Sequence, residues 1–371
     1  MTGRLRVGVI GAHGYGRRHI DRVLTRGDEL ELVAVADPRG GGDLPEGVRV
    51  FTEASAMFEA TAVDLAVVST PIPYHADLAV LSLEAGAHVL LEKPPVVSTG
   101  EHRRVDAAAR VAARSVQVGF QSLASAGIAA ARELIASGGL GELNHIGVVG
   151  LWSRSEEYWR RSPWAGRRRL PDGRVSADGA ATNPLSHAIA TALAIAGAAD
   201  SGDVCDVRTD MRRADDIDTD DTSSLVIELT SGTRIAAALS VTAPLQQEPY
   251  VLLRGSRGHA LYFYTRDLLQ VHPGGAPVPR TYAFERSELL DEMIAHIRRG
   301  APLSVPLAAT GGFTRVLEAI VASPEPVRIA PEHIDVVQRG GEVFRVVRGI
   351  EELVERAAWE GQTFAEAGVS W

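Results

Sequence analysis

The stretch LRVGVIGAHGYGRRHI, Leu5 to Ile20, decides how this chain is read. Leu5, Val7, Val9 and Ile10 give the apolar run of a strand buried on both faces. Gly11, Gly14 and Gly16 follow at once, and Tyr15 opens a helical segment. Glycine permits positive φ and lets a ligand approach the backbone closely. The free N–H groups at the start of the next helix favour a phosphate. Strand, glycine turn and helix in this order form a dinucleotide-binding fingerprint. His13 stands at the second glycine position of G-x-G-x-x-G, and Gly14 is expected to take over its role. A second apolar strand, Leu30 to Ala36, ends at Asp37, about 20 residues beyond the glycines, where a carboxylate usually holds the adenosine ribose. NAD is therefore the expected cofactor. Arg39 stands close enough to pair with a 2′-phosphate, which keeps NADP as the alternative. The competing reading is a glycine turn in an α/β domain that binds no cofactor.

Outward from this stretch, strands and helices alternate to about residue 121. Leu65 to Thr70, His88 to Glu92 and Ser115 to Phe120 read as buried strands, with helices at His75 to Ala85 and Gly100 to Arg114. Such βαβ alternation predicts a doubly wound parallel sheet with right-handed crossovers. Ligands of such sheets sit beyond the carboxyl ends of the strands. The segments Gly11 to Gly16, Thr70 to His75 and Glu92 to Pro95 are then expected to line one crevice.

After Gln121 the pattern changes to longer strands, among them Asn144 to Ser153, Thr222 to Thr230 and Thr233 to Thr242. Ser231 and Gly232 read as a tight hairpin turn. The expected organisation is a Rossmann domain over residues 1–121 and an α+β domain over 122–371, with a large, mainly antiparallel open sheet. Ile350, Leu353, Val354 and Ala357 fall at helical spacing, so a docked C-terminal helix is expected over 348–367.

Composition narrows the partners. A chain of 371 residues with 45% hydrophobic residues is long enough for two globular domains. A net charge of −9 argues against nucleic acid and anionic membranes as partners. No run is apolar for the length of a membrane span. One cysteine, Cys205, excludes a disulfide framework and is expected to be a small buried residue. No leader-like segment precedes Leu5, and a cytoplasmic location is the expectation. No metal-ligand spacing occurs, so no metal is expected. The open sheet face would need covering, and a homodimer or homotetramer is the usual solution.

With Thr70-Pro71, His75 and Glu92-Lys93-Pro94 in place, the chain resembles the Gfo/Idh/MocA family of oxidoreductases. Further motifs carry the resemblance: Gly16-Arg17-Arg18-His19, Gly138-Gly139-Leu140-Gly141, Tyr158-Trp159-Arg160, the His187 region and Gly255-Ser256-Arg257-Gly258. The resemblance implies a nicotinamide cofactor and a sugar, cyclitol or similar polyol as substrate. It implies that Lys93 is the active-site lysine, which polarises a substrate hydroxyl. It implies that His187 is the catalytic histidine; imidazole titrates near neutrality and can accept the hydroxyl proton. The family pattern is Asp-x-x-x-His, and here Asn183 holds the aspartate position. At i and i+4 of a helix Asn183 and His187 would share a face. An asparagine can position substrate but cannot act as a base. Gln121 stands where relatives often continue with arginine and proline. Trp159, Arg160 and Trp164 are candidates for the wall and cation of a substrate pocket, with packing of the loop as the alternative. Two other functions stay open: redox-neutral elimination, epimerisation or glycoside cleavage with bound NAD, and a sugar- or dinucleotide-sensing protein without catalysis.

Overall fold

The computed structural model describes residues 3–275, 278–369 and 371. The chain divides into two compact units. The first runs to Gln121 and adds Ser287–Thr310; the second comprises Ser122–Arg286 and Gly311–Trp371.

The first unit holds a six-stranded parallel sheet. Its strands are β1 (Leu5–Ile10), β2 (Leu30–Ala36), β3 (Arg49–Phe51), β4 (Leu65–Val68), β5 (His88–Leu91) and β6 (Val116–Val118). The spatial order is β3-β2-β1-β4-β5-β6. The order reverses at β1 and β4, so the switch point of this doubly wound sheet lies beside the glycine turn. β4 is buried along its whole length, as a strand covered on both faces must be.

Ser287–Thr310 returns to this unit, although the sequence reading assigned it to the second domain. The physical reason is the exposed edge of β6. The Val118 N–H donates to the Val305 carbonyl at 2.9 Å, and the Gln117 side-chain amide donates to the Leu289 carbonyl at 2.8 Å. Covering an edge strand in this way removes its unpaired polar groups. The helix Leu289–Arg299 then buries Leu289, Leu290, Met293 and Ile294.

The second unit is built on a nine-stranded sheet. In chain order its strands are β7 (Leu143–Leu151), β8 (Val204–Arg213), β9 (Thr222–Leu229), β10 (Arg234–Ser240), β11 (Tyr250–Gly255), β12 (Gly258–Phe263), β13 (Leu268–Pro273), β14 (Arg280–Ala283) and β15 (Val327–Arg328). They lie in the order β14-β13-β12-β11-β7-β10-β9-β8-β15. Pairing is antiparallel except for β7 with β10 and β8 with β15. The turn at Ser231 and Gly232 joins β9 to β10 as a hairpin, with Gly232 at φ +83°.

Helices cover both faces at the centre of this sheet. A Cβ placed on Gly150 would meet Leu185, which precedes the helix Ser186–Ala196. A Cβ on the neighbouring Gly147, on the other face, would lie 2.6 Å from the Ala358 carbonyl of the C-terminal helix Ile350–Glu360. That helix is shorter than the 348–367 span expected, because Gly361 ends it at φ +76°. It is docked as expected: Ile350, Leu353, Val354 and Ala357 pack with Val149, Leu151 and Ala238, and Phe364 is fully buried. The chain beyond it crosses β9 and β8, where the Phe364 N–H donates to Ser224 Oγ and the Ala365 N–H to Asp210.

Cys205 is exposed, against expectation. The register of β8 on β9 shifts between Val204 and Asp206, and this bulge turns Cys205 outward. No helix among the described residues is long and apolar enough to cross a membrane. No group of His, Cys, Asp and Glu suited to a metal ion occurs among them.

Candidate active site

The glycine turn is a cradle set by backbone contacts. Gly11 sits at φ +88°, and a Cβ there would lie 2.4 Å from the Ser69 carbonyl. A Cβ on Gly16 would lie 1.8 Å from the Gly11 carbonyl. Both positions therefore exclude any side chain. Gly14 caps the helix α1 (Tyr15–Thr25) at φ +62°.

Asp37 ends β2 and is buried. Its Oδ2 accepts the Ala12 N–H at 2.9 Å, and its Oδ1 accepts the Arg39 N–H at 2.9 Å. Burial pushes its pKa up, but these hydrogen bonds and the Arg39 guanidinium outweigh it and hold the carboxyl below its ordinary value. Asp37 is thus an ionised acceptor. His13 approaches it, with Nε2 at 4.0 Å from Oδ1.

Two buried polar atoms around this cradle have no hydrogen-bond partner: His13 Nε2 and Thr70 Oγ1. Orphaned donors and acceptors are rare in a folded interior. Together with the side-chain-free turn and the carboxylate, they fit a bound dinucleotide.

The neighbouring strand ends are braced by side chains. His75 is buried, with Nδ1 2.8 Å from the Pro94 carbonyl and Nε2 2.8 Å from the Thr70 carbonyl. Burial holds its pKa below the ordinary histidine value. Each ring nitrogen faces a carbonyl oxygen; the neutral ring donates to one of the two and braces the ends of β4 and β5. Glu92 turns inward to His19, with Oε1 2.8 Å from Nε2. Its other oxygen accepts the Lys93 N–H at 3.2 Å. The Gln121 amide reaches the Tyr15 hydroxyl at 3.4 Å, within the first unit.

Lys93 follows directly, half-buried, and the Lys93–Pro94 peptide is cis. One further signal is legible in the sequence by counting alone. Of the 38 basic residues counted as lysine or arginine, Lys93 is the sole lysine. A chain that uses arginine everywhere else keeps a primary amine at this one position. Arginine stays charged under all ordinary conditions, whereas an ammonium can give up a proton.

In the second unit, His187 lies in the first turn of the helix Ser186–Ala196. Its Nδ1 is 3.1 Å from Ser122 Oγ, which also accepts the Thr191 hydroxyl at 3.2 Å. Asn183 does not share that helix, as the i, i+4 spacing had suggested. It precedes Pro184, and a residue before proline is biased away from helical backbone. It lies in the preceding turn, where its N–H donates to the Gly179 carbonyl at 3.0 Å.

The side chain of Asn183 donates to Asp178 Oδ1. Asp178 is fully buried and forms an ion pair with Arg161, with 2.7 Å between Nη2 and Oδ2. It also accepts the Gly166 N–H at 2.9 Å. A carboxylate thus stands behind the asparagine, five residues before it in sequence. The sequence reading missed it because no spacing rule links an aspartate in a loop to this position.

The loop candidates separate. Trp159 is buried, and its Nε1 donates to Asp215 Oδ2 at 3.0 Å, so it packs the loop. Arg160 is exposed and pairs with Glu156 at 3.1 Å. Trp164 is half-buried under the Arg161 guanidinium, 4.8 Å from its ring centre.

A parallel sheet in the 3-2-1-4-5-6 order, with a glycine cradle and an ionised carboxylate at the end of β2, defines a dinucleotide-binding α/β protein. Residues 5–120 match the family described as an oxidoreductase family with an NAD-binding Rossmann fold, and residues 128–261 match the GFO/IDH/MocA C-terminal domain. The chain belongs to the GFO/IDH/MocA oxidoreductase family.

Among relatives, an inositol 2-dehydrogenase of Corynebacterium glutamicum is 32% identical over 149 residues, 38% of this chain and 44% of that protein. The chain thus spans less than half the length of the curated relatives it matches. Among solved structures, the WlbA dehydrogenase of Bordetella pertussis, in complex with NADH and UDP-GlcNAcA, superposes with a TM-score of 0.67 at 22% identity. The match covers 86% of this chain and 96% of that one. GenD2 from gentamicin A biosynthesis, in complex with NAD, gives 0.66 at 24% identity over 85% of this chain and 93% of that one. At these identities the likeness is one of fold.

Proposed function

We propose that this protein is an NAD-dependent oxidoreductase that transfers hydride between nicotinamide and a carbon of a sugar, cyclitol or related polyol or ketone. One observation carries the reading: the only lysine of the chain stands at the end of β5, in the unit that holds the glycine cradle. Bound NAD would supply the hydride acceptor. Gly11, Gly14, Tyr15 and Gly16 would leave room for its phosphates, Thr70 and Pro71 would border it, and Asp37 would accept the ribose hydroxyls while repelling a 2′-phosphate. His13 Nε2 and Thr70 Oγ1 would gain the partners they lack.

Lys93 would donate a hydrogen bond to the substrate oxygen and stabilise negative charge on it. His187, held at Nδ1 by Ser122, would take the hydroxyl proton. Asn183 commits its amide N–H to Asp178 and would present its carbonyl oxygen to a substrate hydroxyl. The second unit would bind substrate and carry assembly as a homodimer or homotetramer. The C-terminal helix already covers the centre of its sheet, which leaves the outer strands β12 to β14 for such contacts. A cytoplasmic location completes the proposal. The inositol 2-dehydrogenase relatives and the sugar-nucleotide complex of WlbA support a carbohydrate-like substrate.

The test is a spectrophotometric screen with NAD and NADP against a panel of cyclitols, aldoses and sugar acids. Turnover with NAD on at least one member is expected. NADP preferred tenfold would overturn the role given to Asp37, and tight NAD binding without turnover on any member would favour a sensor. Light scattering checks the assembly; a monomer mass of 39.5 kDa at micromolar concentration would remove it.

A further inference from the structure

An alternating ladder of aromatic rings and guanidinium groups runs through the second unit. The Arg154 guanidinium lies 4.7 Å from the Trp152 ring centre and 5.4 Å from that of Tyr158. Arg161 covers the other side of the sequence, 3.9 Å from Tyr158 and 4.8 Å from Trp164. Cations stack on aromatic faces because the ring quadrupole attracts them. The ladder ends at the site: Arg161 pairs with Asp178, and Asp178 holds Asn183.

The two cations differ in how they are neutralised. Arg161 has the Asp178 carboxylate. Arg154 is half-buried and forms no ion pair among the described residues. Its Nη1 donates to the Ser153 carbonyl at 3.0 Å and to Gln246 Oε1 at 2.8 Å, both neutral acceptors. Its Nε and Nη2 have no partner there, and neither is sealed from solvent. Burial and the nearby Arg161 charge both disfavour the charged form and lower its pKa. A half-buried cation without a counter-charge is an unbalanced arrangement. Directly below it, Trp152 Nε1 is buried with no hydrogen-bond partner.

Stacking on Tyr158 connects this cation to Arg161 and, through Asp178, to Asn183. Gly150 faces Leu185, which lies between Asn183 and His187 in sequence. Leu151 packs with the C-terminal helix, and Ser153 Oγ accepts from Arg339 of the hairpin formed by Ile334–Arg339 and Glu342–Val347. Trp152 and Arg154 lie just beyond the end of β7, with the guanidinium over the indole ring.

We propose that Arg154 binds an anionic substituent of the substrate, through the fork formed by Nε and Nη2. The substrate class is therefore an acidic sugar or cyclitol, one that carries a carboxylate or a phosphate. The Nε and Nη2 edge of arginine matches two oxygens of either group in a bidentate pair. The inference rests on the hydride-transfer reading above for the identity of the ligand as substrate.

The experiment compares one neutral aldose, the matching uronate and the matching sugar phosphate. For each, kcat/KM with NAD is measured in the wild type, Arg154→Gln and Arg154→Lys. Equilibrium binding of the uronate and of the phosphate is measured by calorimetry on the same proteins, and near-ultraviolet circular dichroism checks the fold. The wild type should prefer one of the anionic members over the neutral sugar by about 10–100-fold, the usual effect of a hydrogen bond to a charged group. The preferred member identifies the source as carboxylate or phosphate. Arg154→Gln should collapse that ratio, and Arg154→Lys, which keeps charge without the fork, should fall between. Equal use of neutral and anionic sugars by the wild type, or a ratio unchanged in folded Arg154→Gln, overturns the inference and leaves hydride transfer standing. Binding of an anionic sugar that is lost in Arg154→Gln, with no turnover on any member, keeps the subsite and overturns hydride transfer. Failure of both anionic sugars to bind or react overturns the subsite.

Discussion

Gly16→Ala tests the dinucleotide cradle at its tightest point. The new Cβ would lie 1.8 Å from the Gly11 carbonyl, where Cβ atoms are essentially never found below 3.0 Å. The obstacle is backbone on both sides, so no side chain can swing away. The start of α1 would have to retreat from the turn by about 1 Å or more, in an interior packed at crystal density. Overpacking of this kind costs about 1–3 kcal/mol of stability. The same retreat moves the N–H groups at the helix start away from a bound phosphate. Loss of one hydrogen bond to a charged group is worth about 1.5–3 kcal/mol, or about 10–150-fold in Kd. Gly8→Ala serves as the control. Its Cβ would meet Met57 and Val63 methyl groups at 3.1 Å, side-chain atoms that can yield, and β1 would keep its place. Gly8→Ala should lose some thermal stability and keep its NAD affinity, whereas Gly16→Ala should lose both. The assays are calorimetric titration with NAD and a melting curve for each protein. A folded Gly16→Ala that binds NAD within about threefold of the wild type would refute the cradle.

Other outcomes follow from named side chains. Acetylation by an amine-directed reagent can modify only one side-chain amine, Lys93, and should abolish turnover in step with its incorporation, with protection by NAD; full activity in protein acetylated at Lys93, confirmed by mass spectrometry, would remove this residue from the reaction. Asn183→Asp should lose turnover near neutral pH, since it sets a second carboxylate against Asp178, and should regain it as pH falls and the pair takes up a proton. Combining it with Asp178→Asn re-forms the amide–carboxylate contact in reverse and should restore part of the activity; a fully active Asn183→Asp single variant would contradict this. Burial raises the pKa of Asp221 well above its ordinary value and that of Asp215 to about 6, so this pair contributes stability that is complete below the unfolded value of 3.8 and lost as pH rises through the folded value. Asp221→Asn should therefore be more stable than the wild type at pH 8, with the difference closing towards pH 4; melting curves at both pH values check it, and equal melting temperatures at pH 8 would count against it.

The sequence made the first unit legible because its signals are local. Each buried strand is a short apolar run, and Gly11, Gly16 and Asp37 act within one βαβ unit. Ser287–Thr310 escaped because its place is set by an unpaired edge on β6, more than 160 residues earlier, which no periodicity encodes. The place of Asn183 escaped for a local reason that was present in the sequence: Pro184 biases Asn183 away from helical backbone, so the i, i+4 spacing to His187 does not put the two on one helix. Asn183 itself shows why the site was only partly readable. Taken alone, an asparagine in an aspartate position reads as a lost charge. The structure places the carboxylate of Asp178 behind it, in an ion pair with Arg161. A negative charge stands one hydrogen bond away from the asparagine, which donates its side-chain N–H to Asp178 Oδ1. Such a relay depends on a loop folding back through Gly166 and Asp178, and folding back is a property of three-dimensional packing that residue spacing does not carry.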